Sequence, residues 1–508
     1  VKRALVSVSN KEGVDQLCRE LVKLKYLILS TGGTAALLKR KGIPVVDVSE
    51  YTQFPEIMDG RVKTLHPKVH GGILADRSKE DHLEAMKTHG IEAIDMVVVN
   101  LYPFEETIIR PGAGIDDAID NIDIGGPAMI RAAAKNHAHV IVLADPKDYG
   151  WVLEKLTEKG ELSMEERRGL AAKAFAHISR YDTVIASYLE RELGRLFPER
   201  LGLFFQRAQE LRYGENPHQK AAFYADMSSP HGLGQMRQLQ GRGLSYNNLL
   251  DLHSALALAM EFQDPVAVIV KHNNPCGVAT GTSSKDAFLR ALECDPVSAY
   301  GGIIALNKGV DESVAREIGK LFVEAVISPS FSPAAQEMLA VKSNLRLLEL
   351  NPWPTAIEGM DFRRVMGGML IQEPDTLLFE DGMKVVTKRK PTKEEAADLI
   401  FAWKVVKHVK SNAIVMARGS QIVGVGAGQT SRVDSVKIAA MKARLSTQGT
   451  VLASDAFFPF PDGVEEAARV GVTAFIQPGG SIRDKEVVET ADRLGVAMLF
   501  TNMRHFRH

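Results

Sequence analysis

Cysteine is nearly absent from this chain: Cys18, Cys276 and Cys294 are the three in 508 residues. Three scattered thiols supply neither a disulfide framework nor a four-thiolate zinc site. No apolar run approaches the roughly 20 residues that cross a bilayer as a helix. The opening Val1-Lys2-Arg3 has no signal-peptide core, and its missing initiator methionine points to processing or an incomplete chain. Charge of one sign is also lacking, because 62 Lys and Arg meet 63 Asp and Glu. Nothing global therefore draws the protein to nucleic acid or a membrane, and any anion must be held by locally placed cations. With 45% hydrophobic and 25% charged residues, the composition is that of a soluble globular protein. These absences predict a cytoplasmic, enzyme-sized protein, and its length predicts two or more domains.

What is present begins with alternating strand and helix patterns. Ala4–Val8, Tyr26–Leu29 and Pro44–Val48 read as strands, with helices between them running to about Lys25 and Lys41. That pitch predicts a doubly wound parallel sheet. Ser9 and Asn10 look like caps of the first helix, with Lys11 beside them, and Ser30-Thr31-Gly32-Gly33-Thr34 opens the second. Helix N-termini favour anions, and two such turns from neighbouring strands predict a phosphate pocket. Gly60–Gly72 is rich in cations and chain breakers and reads as a shaped loop. Its His66 and His70 have no carboxylate at the spacing a zincin helix uses, so the pair is not read as a metal couple. The strand Met96–Val99 exits into Asn100-Leu101-Tyr102, and Asn121-Ile122-Asp123-Ile124 leads into a helix, Ala128–His137, with Arg131 and Lys135 on one face. Val140–Leu143 is a further strand, and Tyr149 to about Leu196 reads as helical. Phe197-Pro198-Glu199-Arg200 is the strongest break, dividing the chain into 1–196 and 197–508.

The longer part is organised around Val266–Val270 and the Lys271-His272-Asn273-Asn274-Pro275-Cys276-Gly277 that follows. Five apolar residues predict a buried strand, and Asn-Asn-Pro predicts a loop leaving its end. An ammonium and an imidazole open that loop. The imidazole can take a proton near neutral pH, and the lysine can steady a developing negative charge. Leu211–Gln219 is a polar and aromatic stretch without apolar periodicity, and Asp295–Ile304 is a glycine turn entering a strand. Ala413–Met416 and Ile422–Val425 predict a hairpin closed around Arg418-Gly419-Ser420. Lys271-x-Asn273 and Lys410-x-Asn412, each beside a Val-rich strand, hint at an internal duplication. Ala474–Gln477 runs into Pro478-Gly479-Gly480-Ser481, another strand-to-turn-to-helix device. The basic tail Thr501–His508 follows the strand Val496–Phe500 and is expected to be held in place. Pro275-Cys276 invites comparison with zinc nucleobase deaminases, which carry Pro-Cys-x-x-Cys. Ala279 stands where the second thiolate would be, so His272 is free to act as a base.

In order, these stretches resemble the bifunctional purine-biosynthesis family that joins an AICAR formyltransferase to an IMP cyclohydrolase. The resemblance covers essentially the whole chain. It implies formyl transfer from 10-formyltetrahydrofolate to AICAR, then ring closure with loss of water. It implies a methylglyoxal-synthase-like first domain, a duplicated cytidine-deaminase-like α/β region without zinc, and a homodimer with transferase sites shared between subunits. Neither a metal nor a tightly bound cofactor is expected; 10-formyltetrahydrofolate is a co-substrate. Carried onto this sequence, the cyclohydrolase phosphate pocket is Ser9, Asn10, Lys11, Thr31, Gly32, Gly33 and Thr34. Arg61, Lys63, Thr64, Asn100, Tyr102, Asp123, Ile124 and Lys135 surround the closing ring. In the transferase, Arg212, Tyr213, Gly301, Glu324, Asn412, Arg432, Phe457 and Arg504 hold AICAR. Val433, Asp462, Ser481 and Ile482 contact the folate, Lys271 and His272 carry the chemistry, and His508 moves protons with Asn412.

The chemistry agrees with these residue types. The AICAR amine is conjugated with its ring and needs a base as it attacks, a role that suits an imidazole. Ring closure is intramolecular, so positioning supplies much of its rate. Lys63, Tyr102, Asp123 and Lys135 are groups able to manage its protons. Two other classes stay open at this stage: a nucleotide-sensing regulatory module in the first domain, and a deaminase-like hydrolase in the second. The complete set of ring-closing residues argues against the former and the missing second thiolate against the latter.

Overall fold

The structure is a computed structural model that describes residues 1–58, 60–226, 231–380 and 382–508. The chain divides into two compact units, Val1–Phe204 and Phe205–His508, so the division falls a little beyond the Phe197–Arg200 break.

In the first unit, parallel strands β1 (Lys2–Val8), β2 (Tyr26–Ser30), β3 (Val46–Asp47), β4 (Met96–Asn100) and β5 (Ile141–Leu143) lie in the order β3-β2-β1-β4-β5. The chain winds outward from β1 in one direction and then in the other, which leaves a topological switch point between β1 and β4. Ala4, Leu5, Val6, Val97, Val98 and Val99 are buried between the two helix layers. Burial on both faces is why these strands read as continuous apolar runs.

Four local expectations are corrected here. The first helix spans Val14–Lys23 behind Gly13, and Ser9 and Asn10 do not cap it. The third strand is the short Val46–Asp47. The stretch expected to be loop from Gly60 to Gly72 ends in a helix, Pro67–Leu74. Pro67 sits at its first position, where no N–H is needed, and His66 Nδ1 accepts from Lys68 N at 3.1 Å. Gly72 belongs there because a Cβ would lie 2.5 Å from the Glu92 carbonyl oxygen. The helical stretch from Tyr149 is two helices, Tyr149–Lys159 and Met164–Glu192. Gly160 ends the first in the left-handed region, and a Ser163–Glu166 capping box starts the second.

The second unit opens with a hairpin of β6 (Phe205–Glu210) and β7 (Ala222–Asp226). A six-stranded sheet follows, made of β8 (Arg237–Gln240), β9 (Val266–Lys271), β10 (Asn274–Thr280), β11 (Ile303–Leu306), β12 (Ala325–Ser328) and β13 (Arg346–Glu349). After a hairpin of β14 (Asp361–Val365) and β15 (Gly368–Gln372) comes a second six-stranded sheet. It contains β16 (Lys384–Val385), β17 (Ile414–Ala417), β18 (Ile422–Gly426), β19 (Thr450–Ser454), β20 (Val472–Gln477) and β21 (Ala497–Phe500). The orders β10-β9-β11-β12-β13-β8 and β18-β17-β19-β20-β21-β16 are one topology used twice: an edge hairpin, three parallel strands, and an antiparallel strand from upstream. The two edge hairpins meet at a bridge between Ala279 and Gln421.

The duplication is real, but the Lys-x-Asn pair does not carry it. Lys271 ends β9, whereas Lys410 precedes β17. The counterpart of Lys271-His272-Asn273-Asn274 is the turn Arg418-Gly419-Ser420-Gln421. The loop expected after Val270 is likewise a two-residue turn, His272–Asn273, and Pro275 lies in β10. A proline fits because β10 is an edge strand and its register shifts between Pro275 and Gly277. The tail is anchored: His505 is buried against Trp403, and its N–H donates to the Asp455 carbonyl at 2.9 Å.

Candidate active sites

In the first unit the expected residues gather at the carboxyl ends of β1, β2 and β4. Asn100 Oδ1 accepts the amides of Ser9 at 2.5 Å and Asn10 at 2.9 Å, so the loop after β1 is tied to the end of β4. Thr31 precedes the helix Gly32–Arg40 without a side-chain capping bond, its hydroxyl meeting Ser7 Oγ at 3.1 Å instead. The buried Thr34 hydroxyl is engaged by Val8 and by Lys11 Nζ, the latter at 3.0 Å. Gly33 opens the same helix. The Lys63 ammonium lies against the Gly32 backbone. Burial, and then the charge of Lys63, push the Lys11 ammonium below its ordinary range. Two ammonium groups crowded at a switch point beside a helix N-terminus are suited to a phosphate dianion.

Asp123 stands beside them. Burial raises its carboxyl, while the Gly126 amide at 2.8 Å, the Tyr102 backbone and Lys63 pull it back. Its own N–H donates to Tyr181 Oη at 2.8 Å. Thr64 is buried against Gly125, while Tyr102 and Ile124 are exposed. Arg61 makes an exposed ion pair with Asp120 at 2.7 Å. Lys135 is the member that the fold sets apart. It ends the helix Gly125–Lys135, about 15 Å from its start. There it lines a groove of ≈ 700 Å³ with His70, Arg131, Arg168 and Phe175.

In the second unit, His272 and Asn273 have φ of 51° and 61°. Both residues of the hairpin turn are thus left-handed, which sequences normally meet with Asn-Gly or Gly-Gly. A non-glycine residue there costs roughly 1–2 kcal/mol. The turn leaves His272 exposed. Lys271 Nζ donates to the Tyr300 carbonyl at 2.5 Å and stands against Gly301. Gly302 accepts the Glu324 amide at 3.0 Å, and the Glu324 carboxylate pairs with Arg346 at 2.7 Å. Arg346 also donates to the Gly243 carbonyl, which neighbours Arg212, whose guanidinium covers the Tyr213 ring. Lys271, Gly301, Glu324, Arg212 and Tyr213 therefore line one end of the first sheet.

A second cluster comes from the other half. Arg432 is buried and donates to Asn412 Oδ1 at 2.6 Å, to Ser454 Oγ at 2.8 Å and to Asp455. Asp455 also accepts from Ser411, whose hydroxyl accepts the Arg507 amide at 3.1 Å. Lys410 joins the clusters: its amide donates to Asn274 Oδ1 at 3.0 Å, and its ammonium to the His508 carbonyl at 2.7 Å. Phe457 and Asp462 follow β19, and Ser481 and Ile482 follow β20, all at carboxyl ends of parallel strands. Val433 lies in the first turn of Arg432–Lys442, and Arg504 covers the Phe506 ring. Burial pushes the Cys276 thiol up to about 12, as for a packed, unreactive thiol.

Sequence reasoning missed Asp251, Ser254, Asp398 and Asp455. Asp251 and Asp398 were findable. Each lies six residues after a helix cap, Ser245 and Thr392, whose boxes close with Asn248 and Glu395.

A two-unit α/β enzyme, with a methylglyoxal-synthase-like first unit and a duplicated second, is the class these features define. The MGS-like domain model matches residues 13–128. The model described as AICARFT/IMPCHase bienzyme matches residues 133–442, and the chain belongs to that family. Proteins named bifunctional purine biosynthesis protein PurH are similar over the full length of both chains. Those of Bacillus cytotoxicus and Bacillus cereus are 54% and 53% identical, and that of Acetivibrio thermocellus is 52% identical.

Proposed function

We propose that this protein carries out the last two steps of IMP synthesis, with formyl transfer in the second unit and ring closure in the first. The observation that carries the reading is the Lys271-His272 pair, displayed on a left-handed turn within a chain of this family. The AICAR amine attacks the formyl carbon of 10-formyltetrahydrofolate as His272 takes its proton. Lys271 stabilises the tetrahedral oxyanion, and the C–N bond to the folate N10 then breaks with proton return to that nitrogen. Arg212, Tyr213, Gly301, Glu324, Asn412, Arg432, Phe457 and Arg504 hold AICAR; Val433, Asp462, Ser481 and Ile482 hold the folate. His508 assists proton movement near Asn412.

In the first unit, Lys11, Thr31 and the Gly32–Arg40 helix start hold the phosphate. The carboxamide nitrogen attacks the formyl carbon and water leaves, with Lys63, Tyr102 and Asp123 managing protons. Lys135, from the far end of the Gly125–Lys135 helix, is the fourth residue assigned to that proton handling. The protein works as a cytoplasmic homodimer, without a tightly bound cofactor or metal.

The test is incubation of the full-length protein with AICAR and 10-formyltetrahydrofolate, followed by chromatography. IMP is expected. Accumulation of formyl-AICAR alone contradicts the ring-closing assignment, and unchanged AICAR contradicts formyl transfer.

A further inference from the structure

We propose that Asp251 is a positioning residue for formyl transfer: from the helix Tyr246–Ala259, its carboxylate clamps the turn that presents His272. The proposal rests on the reading of His272 as the base.

A turn made of His and Asn, rather than glycine, needs something to hold it left-handed. The hydrogen bonds say what does. The Asn273 amide donates to Asp251 Oδ1 at 2.6 Å. Burial raises the Asp251 carboxyl, but the amides of Asn273 and His272 and the charges of His272 and Lys271 favour its ionised form. Three residues along the same helix, Ser254 Oγ donates to Asn273 Oδ1 at 3.2 Å, and Ser254 itself accepts from Arg507 at 3.2 Å. One helix face therefore grips both the backbone and the side chain of Asn273. Asn274 holds the other side of the turn: its Nδ2 donates to the His272 carbonyl at 3.3 Å, and its Oδ1 accepts from Lys410. The backbone of His272 is fixed from both sides, while among the described residues its imidazole makes no hydrogen bond.

The duplicated half supplies a control. Asp398 is the sixth residue of Lys393–Val406, as Asp251 is of Tyr246–Ala259. Its two oxygens accept the amides of Gly419 and Ser420, both at 2.7 Å. Those residues also have positive φ, 59° and 54°, but neither of the two has a titratable side chain. The clamp is thus an inherited device of the scaffold. Only in the first half does it fix an imidazole.

Asp251→Asn and Asp398→Asn in the full-length protein separate structure from positioning. Melting temperature should fall similarly in both. Formyl-transfer kcat should fall about 10–100-fold in Asp251→Asn alone, with KM for AICAR within about threefold of the parent. Ring closure should be unchanged in both. The proposal is overturned if kcat is unchanged in Asp251→Asn, or falls equally in the two variants. Should Asp251→Asn fail to fold, Ser254→Ala replaces it, with an expected fall of about 3–10-fold and unchanged kcat as the contrary result. His272→Ala run alongside tells the two ideas apart. If it retains turnover, the base assignment fails. If it loses turnover while Asp251→Asn keeps it, only the clamp fails.

Discussion

The two halves of the second unit share a backbone and differ in what they hang on it. Both pack a helix so tightly on the edge hairpin that a Cβ on Gly277 would lie 2.2 Å from the Ala291 carbonyl, and one on Gly424 2.2 Å from that of Ala439. Both clamp a two-residue turn with an aspartate from the preceding helix. The turns themselves part company, one carrying Lys271 and His272 and the other Arg418 and Gly419. So do the ends of the preceding helices. Glu261 and His408 follow them at equivalent positions, and these pair with each other at 3.0 Å. Lys407 adds a second bond to Glu261 at 2.9 Å, and Lys404 donates to the Glu261 carbonyl. The difference teaches that duplication supplies a rigid frame, and that a few substitutions at matched positions divide it into a chemical half and a supporting half.

The largest stability effect is expected where the halves have diverged into partners. Glu261→Gln leaves the buried Lys407 ammonium without its counter-charge, which typically costs about 3–5 kcal/mol. Urea unfolding of the full-length protein measures this. A loss below 1 kcal/mol on the same scale would mean that the seam is no more than a surface contact. Next come Gly277→Ala and Gly424→Ala, expected to lose about 1–3 kcal/mol each and by similar amounts. Unequal losses would show that the two helix–hairpin packings are not equivalent.

Acid should act at the same seam. Burial, against the pull of Glu261, holds the His408 imidazole at about 4, below its ordinary 6.5. Between those values the unfolded chain binds a proton that the folded chain refuses, so stability falls as pH drops from 6.5 towards 4. Burial would raise Glu261, but His408 and Lys407 outweigh it and hold the carboxyl at about 2. A further loss therefore follows as pH falls from 4.5 towards 2. Melting curves across this range should show both losses in the parent, and the lower one should be smaller in Glu261→Gln, since Asp76 and Glu395 are also held low and keep their share. An undiminished lower loss would assign it to those other carboxylates.

Much of this was legible in the sequence, for reasons that differ by element. The parallel strands were readable because burial on both faces leaves unbroken apolar runs such as Val97–Val99. Asp123 and Lys63 were named by family resemblance, and the fold brings Lys63 near both Asp123 and Lys11. The helix Pro67–Leu74 was not, because its Gly71 answers to Ile91 and its Gly72 to Glu92 and Ile94, distant in sequence. Ser9 and Asn10 misled because hydroxyl and amide residues before a helix look like caps, whereas here their amides bind Asn100. The Asp251 clamp escaped because a single aspartate in a largely buried helix does not by itself show what it holds. Alignment of Ser245–Asp251 with Thr392–Asp398 would have exposed it.

The central claim is that the turn between β9 and β10 holds the base of formyl transfer, while ring closure belongs to the other unit. The most direct measurement is the pair of single-step rates in His272→Ala, with the AICAR dissociation constant taken on the same sample. Formyl transfer should fall about 10²–10⁴-fold, equivalent to roughly 3–5 kcal/mol, with AICAR binding little changed and ring closure at the parental rate. Turnover within a few-fold of the parent would contradict the account, as would a parallel collapse of binding, melting temperature and both activities.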